Sequence, residues 1–352
     1  MMQDEFYMHR ALELAERGRT LVAPNPMVGA VLVYEDRIIG EGYHRQWGQP
    51  HAEVNAIASV KEVELLPLCT MYVSLEPCSH YGKTPPCAKL IIDKQIPRVV
   101  IGMKDPHDKV AGKGIKMLED AGVKVIVGVC EQECQELNKR FVTYFTQRRP
   151  YVILKWAESS DGFIDSNRDS AEKKPVRLSN EVTKTLNHQI RTQEAAILVG
   201  TNTALLDNPH LTSRKWGPKN AVRVLLDRQG RVPRSYHFFD DSTRTLILTC
   251  ETTEARLPLE KSEQTKYVRL TSEALPQQIL KRLYEEELTS VIIEGGKQLL
   301  ETFIEAGLWD ECRIETAPIL LHEGVSSPKI EGRLVSCTNI LGQTFRLLTP
   351  KS

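Results

Sequence analysis

The chain carries no excess of charge of either sign. Lys and Arg number 46, and Asp and Glu also number 46. Proteins that bind duplex nucleic acid or tRNA generally present a basic face, and aromatics, at 6 %, do not cluster with basic residues as a single-strand binder would require. Nucleic acid is therefore not expected as a partner. No apolar run approaches the roughly 20 residues of a membrane span, so no membrane association is expected. The start, "MMQDEFYMHR", is polar and acidic with no signal-peptide core, and cytoplasmic residence is the expectation. Eight cysteines in 352 residues without a secretion signal do not suggest a disulfide framework. Cys69, Cys130, Cys134, Cys250, Cys312 and Cys337 read as reduced thiols. Cys130 and Cys134 in "CEQEC" form a spaced pair, but no neighbouring histidine completes a second metal site. There is no G-x-G-x-x-G, so a Rossmann cofactor site is unsupported. Internal repeats and low-complexity segments are also lacking.

What remains is ordinary globular composition, 41 % hydrophobic and 26 % charged, in a chain long enough for two domains. Helical and strand periodicities alternate throughout. "DEFYMHRALELAERG" reads as a helix ending at Gly18. "VGAVLVY" and "RIIGEGY" flank "EDR" as a hairpin. A helix from His51, the strand "TMYVSL", a helix from Pro86, the strand "RVVIGM", the helix "IKMLEDA", the strand "VKVIVGV" and a helix over "EQECQELNKRFVTYF" follow. Pro150 in "TQRRPYV" interrupts this series, placing a boundary between residues 1–147 and 148–352. The second part opens with the strand "YVILKWA" and an exposed polar loop, "DSNRDSAEKKP". The helix "NEVTKTLNHQIRTQ", the strands "AAILVG", "AVRVLLD" and "TLILT", a helix near "LPQQILKRLYEEE", the strand "SVIIEGG" and the helix "KQLLETFIEAG" complete the reading. Both parts are α/β.

Four residues carry the chemistry of the first part: His51 and Glu53 in "PHAEVNA", and Cys78 and Cys87 in "LEPCSHYGKTPPC". One imidazole and two thiolates are the ligand set of a zinc ion that keeps its fourth position for water. Glu53 does not suit a structural site but suits proton transfer to and from that water. Such H-x-E…P-C…C constellations build nucleobase deaminases. Both cysteines follow proline, favoured at helix starts, where the dipole stabilises a thiolate. The competing reading is a structural zinc knot, but Cys69, His44 and His80 stand off any standard spacing for a fourth ligand. The spacing departs from C-x-x-C: "SHYGKTPP" separates the pair. "GKT" is no P-loop, since Pro77 occupies the required upstream glycine position.

That longer loop, with "PNPMVGAVLV", "GEGYH", "PHAE", "DPHDKVAGKGIKMLEDAGVKV" and "LNKRF", resembles the deaminase half of the bifunctional riboflavin-biosynthesis deaminase/reductase family. "LKWAESSDG", "ILVGTNTALLDNPHLTSR" and "IIEGGKQLLETFIEAGLWDE" extend the resemblance across the second half. It implies a cytidine-deaminase-like three-layer α/β/α domain followed by a dihydrofolate-reductase-like α/β domain, in a homo-oligomer. It further implies zinc-dependent removal of the 2-amino group of a diaminopyrimidinone carrying a ribosylamino 5′-phosphate. NADPH-dependent reduction of the ribosyl unit to ribityl would follow. His51, Cys78 and Cys87 correspond to the zinc ligands and Glu53 to the proton shuttle. Asn25, His44, His80 and Lys83 correspond to the deaminase substrate shell. Without the resemblance, the preferred reading of Lys83 is a solvated loop cation.

In the second half, Lys155, Ala157, Thr203 and Asp207 correspond to positions near the cofactor. Arg191, Leu211, Arg214 and Glu294 correspond to positions near the ribosyl phosphate. Guanidinium pairs bidentately with phosphate, although surface salt bridging is the plainer reading, and Asp207 could equally cap the turn "LLDNPH". Gly295 and Gly296, between a strand and a helix, would let backbone approach an NADPH phosphate; alone they fit a structural turn as well. Where the family usually has a segment like "ESQWITG", this chain has "KKPVRLSN". Pro175 and Arg177 replace a substrate-touching serine and a cofactor-touching tryptophan, and Ser160 replaces the leucine of "SLDG". Arg177 is a candidate for the extra phosphate of NADPH. Two other readings compete: a deaminase whose second domain is structural or has lost reduction, and a nucleic-acid-editing zinc deaminase.

Overall fold

The computed structural model describes residues 2–81, 85–108, 110–250, 262–271 and 273–351. It divides into two compact units, Met1–Arg148 and Arg149–Ser352. No helix among the described residues is long and apolar enough to cross a membrane, and no disulfide joins any cysteine.

The first unit runs α1 (Met2–Glu16), β1 (Gly29–Tyr34), β2 (Arg37–Tyr43), α2 (Ala52–Ser59), β3 (Thr70–Leu75), α3 (Cys87–Asp93), β4 (Arg98–Met103), α4 (Lys113–Asp120), β5 (Lys124–Val127), α5 (Glu131–Leu137) and α6 (Lys139–Gln147). Its sheet has the order β2-β1-β3-β4-β5. β1 is antiparallel to both neighbours, and β3, β4 and β5 are parallel. The expected hairpin forms, with Tyr34 opposite Arg37. Glu35 and Asp36 both have positive φ, the mark of the type I′ turn that suits strand twist; no Asn-Gly signals it.

Residues alternate between two cores, as strands buried on both faces require. Ala30, Leu32, Val99 and Ile101 face a cluster shared with Ala52 and Ala56 of α2, Ala88 and Ile91 of α3, and Ile115 and Leu118 of α4. Val31, Val33 and Val100 face the opposite cluster, with Tyr7, Met8, Ala11 and Leu14 of α1 and Cys134 of α5. The unit is thus three layers, α/β/α. The single helix expected over "EQECQELNKRFVTYF" is broken at Asn138, because that buried side chain turns away to accept from Met27 N (2.8 Å) and donate to Met27 O (2.9 Å).

The second unit runs β6 (Tyr151–Ser159), β7 (Phe163–Asp165), α7 (Glu181–Gln193), β8 (Ala196–Gly200), α8 (Thr201–Asp207), β9 (Val222–Leu226), β10 (Thr245–Cys250), β11 (Thr265–Leu270), α9 (Leu275–Glu285), β12 (Ser290–Gly295), α10 (Lys297–Glu305), β13 (Glu311–Ala317), β14 (Val325–Ser326), β15 (Arg333–Ile340) and β16 (Gln343–Thr349). A nine-stranded sheet has the order β11-β10-β9-β8-β12-β6-β13-β16-β15. It is parallel except at β16, which is antiparallel to β13 and β15. One face packs Val152, Leu154 and Trp156 against Ile279 and Leu283 of α9 and Leu300 and Phe303 of α10. The other gathers Ile197, Val199, Leu225 and Ile247 around Phe238. The loop "DSNRDSAEKKP" is not uniformly exposed as expected: the Arg168 side chain within it is 4 % exposed, held in ion pairs.

Candidate metal centre and reductase cavity

His51 caps α2 and Pro86 caps α3, so Cys87 opens α3, while Cys78 lies three residues beyond β3. These junctions after strands are where α/β sheets place their sites. The structure brings the three residues together. His51 Nδ1 is 3.6 Å from Cys78 Sγ and 3.4 Å from Cys87 Sγ, and the Cys87 N–H donates to Cys78 Sγ at 3.3 Å. A tetrahedral zinc with ordinary Zn–N and Zn–S bonds requires N···S separations of about 3.5 Å, so the donors fit the ion. Their electrostatics agree. The Cys87 side chain and His51 hold the Cys78 thiol well below the ordinary thiol range, against the pull of burial. That neighbour in turn raises Cys87, and the Cys78 contact raises His51. Two thiolates this close are stable together only beside a cation.

Glu53, in the first turn of α2, is 3 % exposed. Burial pushes its carboxyl up to about 7, although His51 pulls it down. A buried carboxyl beside the ligand cluster is placed to take and give a proton there. His44 is buried beside the site, its ring edge-on to His51 with centroids 5.5 Å apart. Its Nδ1 lies 3.2 Å from the Pro50 carbonyl and its Nε2 3.2 Å from Asn25 Nδ2. A carbonyl only accepts, so Nδ1 donates and Nε2 accepts from the amide: His44 is neutral, in keeping with a pKa lowered by burial. His80 is exposed. Lys83 lies outside the described residues.

Glu76 was given no role in the sequence, yet it is buried and holds the cysteine loop. Its carboxylate accepts from the backbone N–H of Asp105, Gly112, Gly114 and Ile115, at 2.9–3.3 Å. Gly114 is obligatory there, since a Cβ would stand 1.9 Å from the Pro77 carbonyl oxygen. The only sequence signal was its place in "LEPCSH".

In the second unit a cavity of about 1200 Å³ is lined by Lys155, Ala157, Thr203, Asp207, Gly295 and Gly296, together with Glu294, Pro175 and Arg177. Lys155 and Ala157 share a face of β6 by strand alternation. Gly295, at φ +134°, and Gly296 lie against the Thr203 hydroxyl, which would be 3.2 Å from a Cβ on Gly296. Arg191, Leu211 and Arg214 are not among the lining residues. Arg191 pairs with Glu294 and also donates to the Thr212 carbonyl. Leu211 is buried in the core around Phe238. Arg214 is exposed, donating to the Thr212 hydroxyl. Ser160 donates to the Ala317 carbonyl at 2.8 Å. Asp207 ends α8 and pairs with Arg168, while Asn208, in left-handed conformation, caps the helix.

Two further clusters of potential ligands lie outside these sites. His9 stands 3.8 Å from Cys130, so the thiol pair does have a histidine neighbour, supplied by α1. His210 stacks on His237 beside Asp240, but one oxygen of that carboxylate is already taken by Arg223 and Ser242.

Residues 1–103 match the cytidine and deoxycytidylate deaminase zinc-binding region, and residues 150–340 match the RibD C-terminal domain. The riboflavin biosynthesis protein RibD of Aquifex aeolicus is 39 % identical over 92 % of this chain and 89 % of its own. The solved structure of Acinetobacter baumannii RibD, form 1, is 30 % identical over 100 % of this chain and 99 % of its own, with a TM-score of 0.87. The diaminohydroxyphosphoribosylaminopyrimidine deaminase/5-amino-6-(5-phosphoribosylamino)uracil reductase of Thermotoga maritima is 33 % identical over 99 % of each chain, with a TM-score of 0.85. Since these relatives match both halves in one continuous chain, this protein belongs to the RibD family, the bifunctional deaminase/reductases of riboflavin biosynthesis, which act on a small-molecule aminopyrimidine with zinc and NADPH as cofactors.

Proposed function

We propose that residues 1–147 hydrolyse the 2-amino group of 2,5-diamino-6-ribosylamino-4(3H)-pyrimidinone 5′-phosphate and that residues 148–352 then reduce the ribosyl side chain of the product to ribityl. The observation that carries the first step is the convergence of His51, Cys78 and Cys87 with a buried Glu53 beside them. His51, Cys78 and Cys87 would hold a zinc ion, which would supply a water acidified to near neutrality. Glu53 takes a proton from the attacking water and returns it to the departing ammonia. His44, neutral and fixed through Pro50, orients the Asn25 amide toward the heterocycle. His80 and Lys83 serve the phosphate end.

In the reductase domain, Lys155, Ala157, Thr203, Asp207 and the Gly295–Gly296 turn hold NADPH, and Arg177 meets its extra phosphate. Glu294 faces the ribosyl unit. Arg191 commits part of its fork to Glu294 and keeps other N–H groups for the phosphate. Leu211 and Arg214, which do not line the cavity, flank Thr212, whose carbonyl accepts from Arg191, and border the phosphate from that loop. The hydride comes from the cofactor, so the protein's part is orientation.

The chain acts as a cytoplasmic homo-oligomer in this reading. β15 is an edge strand exposed from Arg333 to Asn339, with Leu334 54 % and Val335 52 % exposed. An apolar edge of this kind needs cover. Light scattering would show assembly, which Leu334→Lys should weaken.

The test of function supplies zinc-loaded protein with the diaminopyrimidinone ribosyl phosphate and NADPH. Ammonia release followed by NADPH oxidation is expected. Neither product would remove the substrate assignment.

A further inference from the structure

Segment 166–177 carries Pro175 and Arg177, two of the positions where the sequence departs from the usual family pattern, and it is attached to the cavity through a network centred on Arg168. Arg168 Nε pairs with Asp165 Oδ2 at 2.6 Å, and Nη2 with Asp207 Oδ1 at 2.5 Å. Its Nη1 donates to the carbonyls of Lys173 and Leu206, each at 3.3 Å. The other oxygen of Asp165 accepts from Val176 N at 3.0 Å and Ser166 N at 2.9 Å. The two ends of the segment therefore rest on one carboxylate, and Arg168 ties that carboxylate to the end of α8. Asp165, Arg168, Pro175, Val176, Arg177 and Asp207 all line the cavity.

We propose that Arg168 is a positioning residue of the reductase site. Its guanidinium fixes the 166–177 segment as a cavity wall and holds the Asp207 carboxylate in its orientation toward the cofactor. A planar fork that reaches two carboxylates and two carbonyls in different directions has no equivalent in the point charge of a lysine. Without it, Asp165 and Asp207 would face each other as uncompensated like charges, and the wall bearing Arg177 would loosen. The inference rests on the reading of this cavity as the NADPH site.

Full-length, zinc-loaded Arg168→Met and Arg168→Lys are compared with the unaltered protein by three measurements: ammonia release, KM and kcat for NADPH, and amide hydrogen exchange across 165–177 without NADPH. Ammonia release from the same chain reports that the variant is intact. Arg168→Met should raise the NADPH KM by about tenfold or more, the scale of one lost charge-assisted contact, with kcat nearly unchanged. Exchange at Val176 should quicken, and Arg168→Lys should recover only part of both. If the unaltered protein consumes no NADPH, the cavity reading falls and the inference with it. If it does consume NADPH and Arg168→Met keeps the same KM, the inference alone falls. Faster exchange with unchanged KM would reduce Arg168 to a structural tie, which also overturns it.

Discussion

Arg191 on α7 and Glu294 at the end of β12 lie 103 residues apart in the chain and meet as a bidentate pair, Nη2 to Oε2 at 2.6 Å and Nε to Oε1 at 3.2 Å. Burial alone would push the Glu294 carboxyl up, but Arg191 and Lys155 outweigh it and bring it down to about 2. A folded-state pKa below the ordinary 4.5 means that the stabilisation is complete above that value and is lost as pH falls toward about 2. Glu294→Gln should therefore lower the urea midpoint at neutral pH, by an equivalent of about 3 kcal/mol for a broken buried pair. The difference from the unaltered protein should shrink between pH 4.5 and 2. A difference independent of pH would show that shape, not charge, makes the pair.

Glu53→Gln preserves volume and removes the proton carrier. Ammonia release should drop by about 10²–10⁴-fold, the range for a lost general acid–base, while bound zinc stays at its original stoichiometry. NADPH oxidation should persist when deaminated substrate is supplied. Chelating the zinc should abolish ammonia release and leave that oxidation in place. Turnover that survives in Glu53→Gln would transfer the proton role elsewhere.

Gly114→Ala places a methyl 1.9 Å from the Pro77 carbonyl oxygen, against backbone that has nowhere to yield. The expected cost is about 1–3 kcal/mol of stability, with weakened zinc retention because Pro77 precedes a ligand. Gly122→Ala is the control: a Cβ there meets nothing within 4 Å, so it bears only backbone strain and should retain zinc. Equal zinc loss in both variants would separate the loop from the metal.

Arg177→Ala tests what the altered wall does. The ratio of kcat/KM for NADPH over NADH should fall by about tenfold, as for one phosphate contact. An unchanged ratio would assign the extra phosphate to another part of the cavity.

The metal centre was legible because its parts are local: "PHAE" and "EPCSHYGKTPPC" each carry residues whose chemistry announces itself at fixed spacing. The inner strands of the first unit are legible as short continuous apolar runs, as strands buried on both faces must be, and its helices as amphipathic periodicity between them. The remaining features depend on partners that leave no local mark. Glu76 binds backbone N–H groups 29–39 residues away, and a backbone donor has no residue type to read. Asn138 breaks a helical pattern because of Met27, 111 residues earlier. Cys130 looked isolated because His9 is 121 residues distant. Arg168 read as solvated because the run around it is polar. The edge strand β15 has no apolar run to mark it, being exposed from Arg333 to Asn339.

The intercysteine stretch "SHYGKTPP" is secured from outside at both ends. Before it, Glu76 is bound to the backbone of 105–115. After it, Cys87 is set in α3, whose Ala88 and Ile91 are buried in the core. Lengthening or shortening the stretch leaves both anchor points, and hence the metal geometry, where they are. The metal geometry is thus set by two anchors outside the stretch rather than by the number of residues between the cysteines, which uncouples the length of that connection from the grip on the ion.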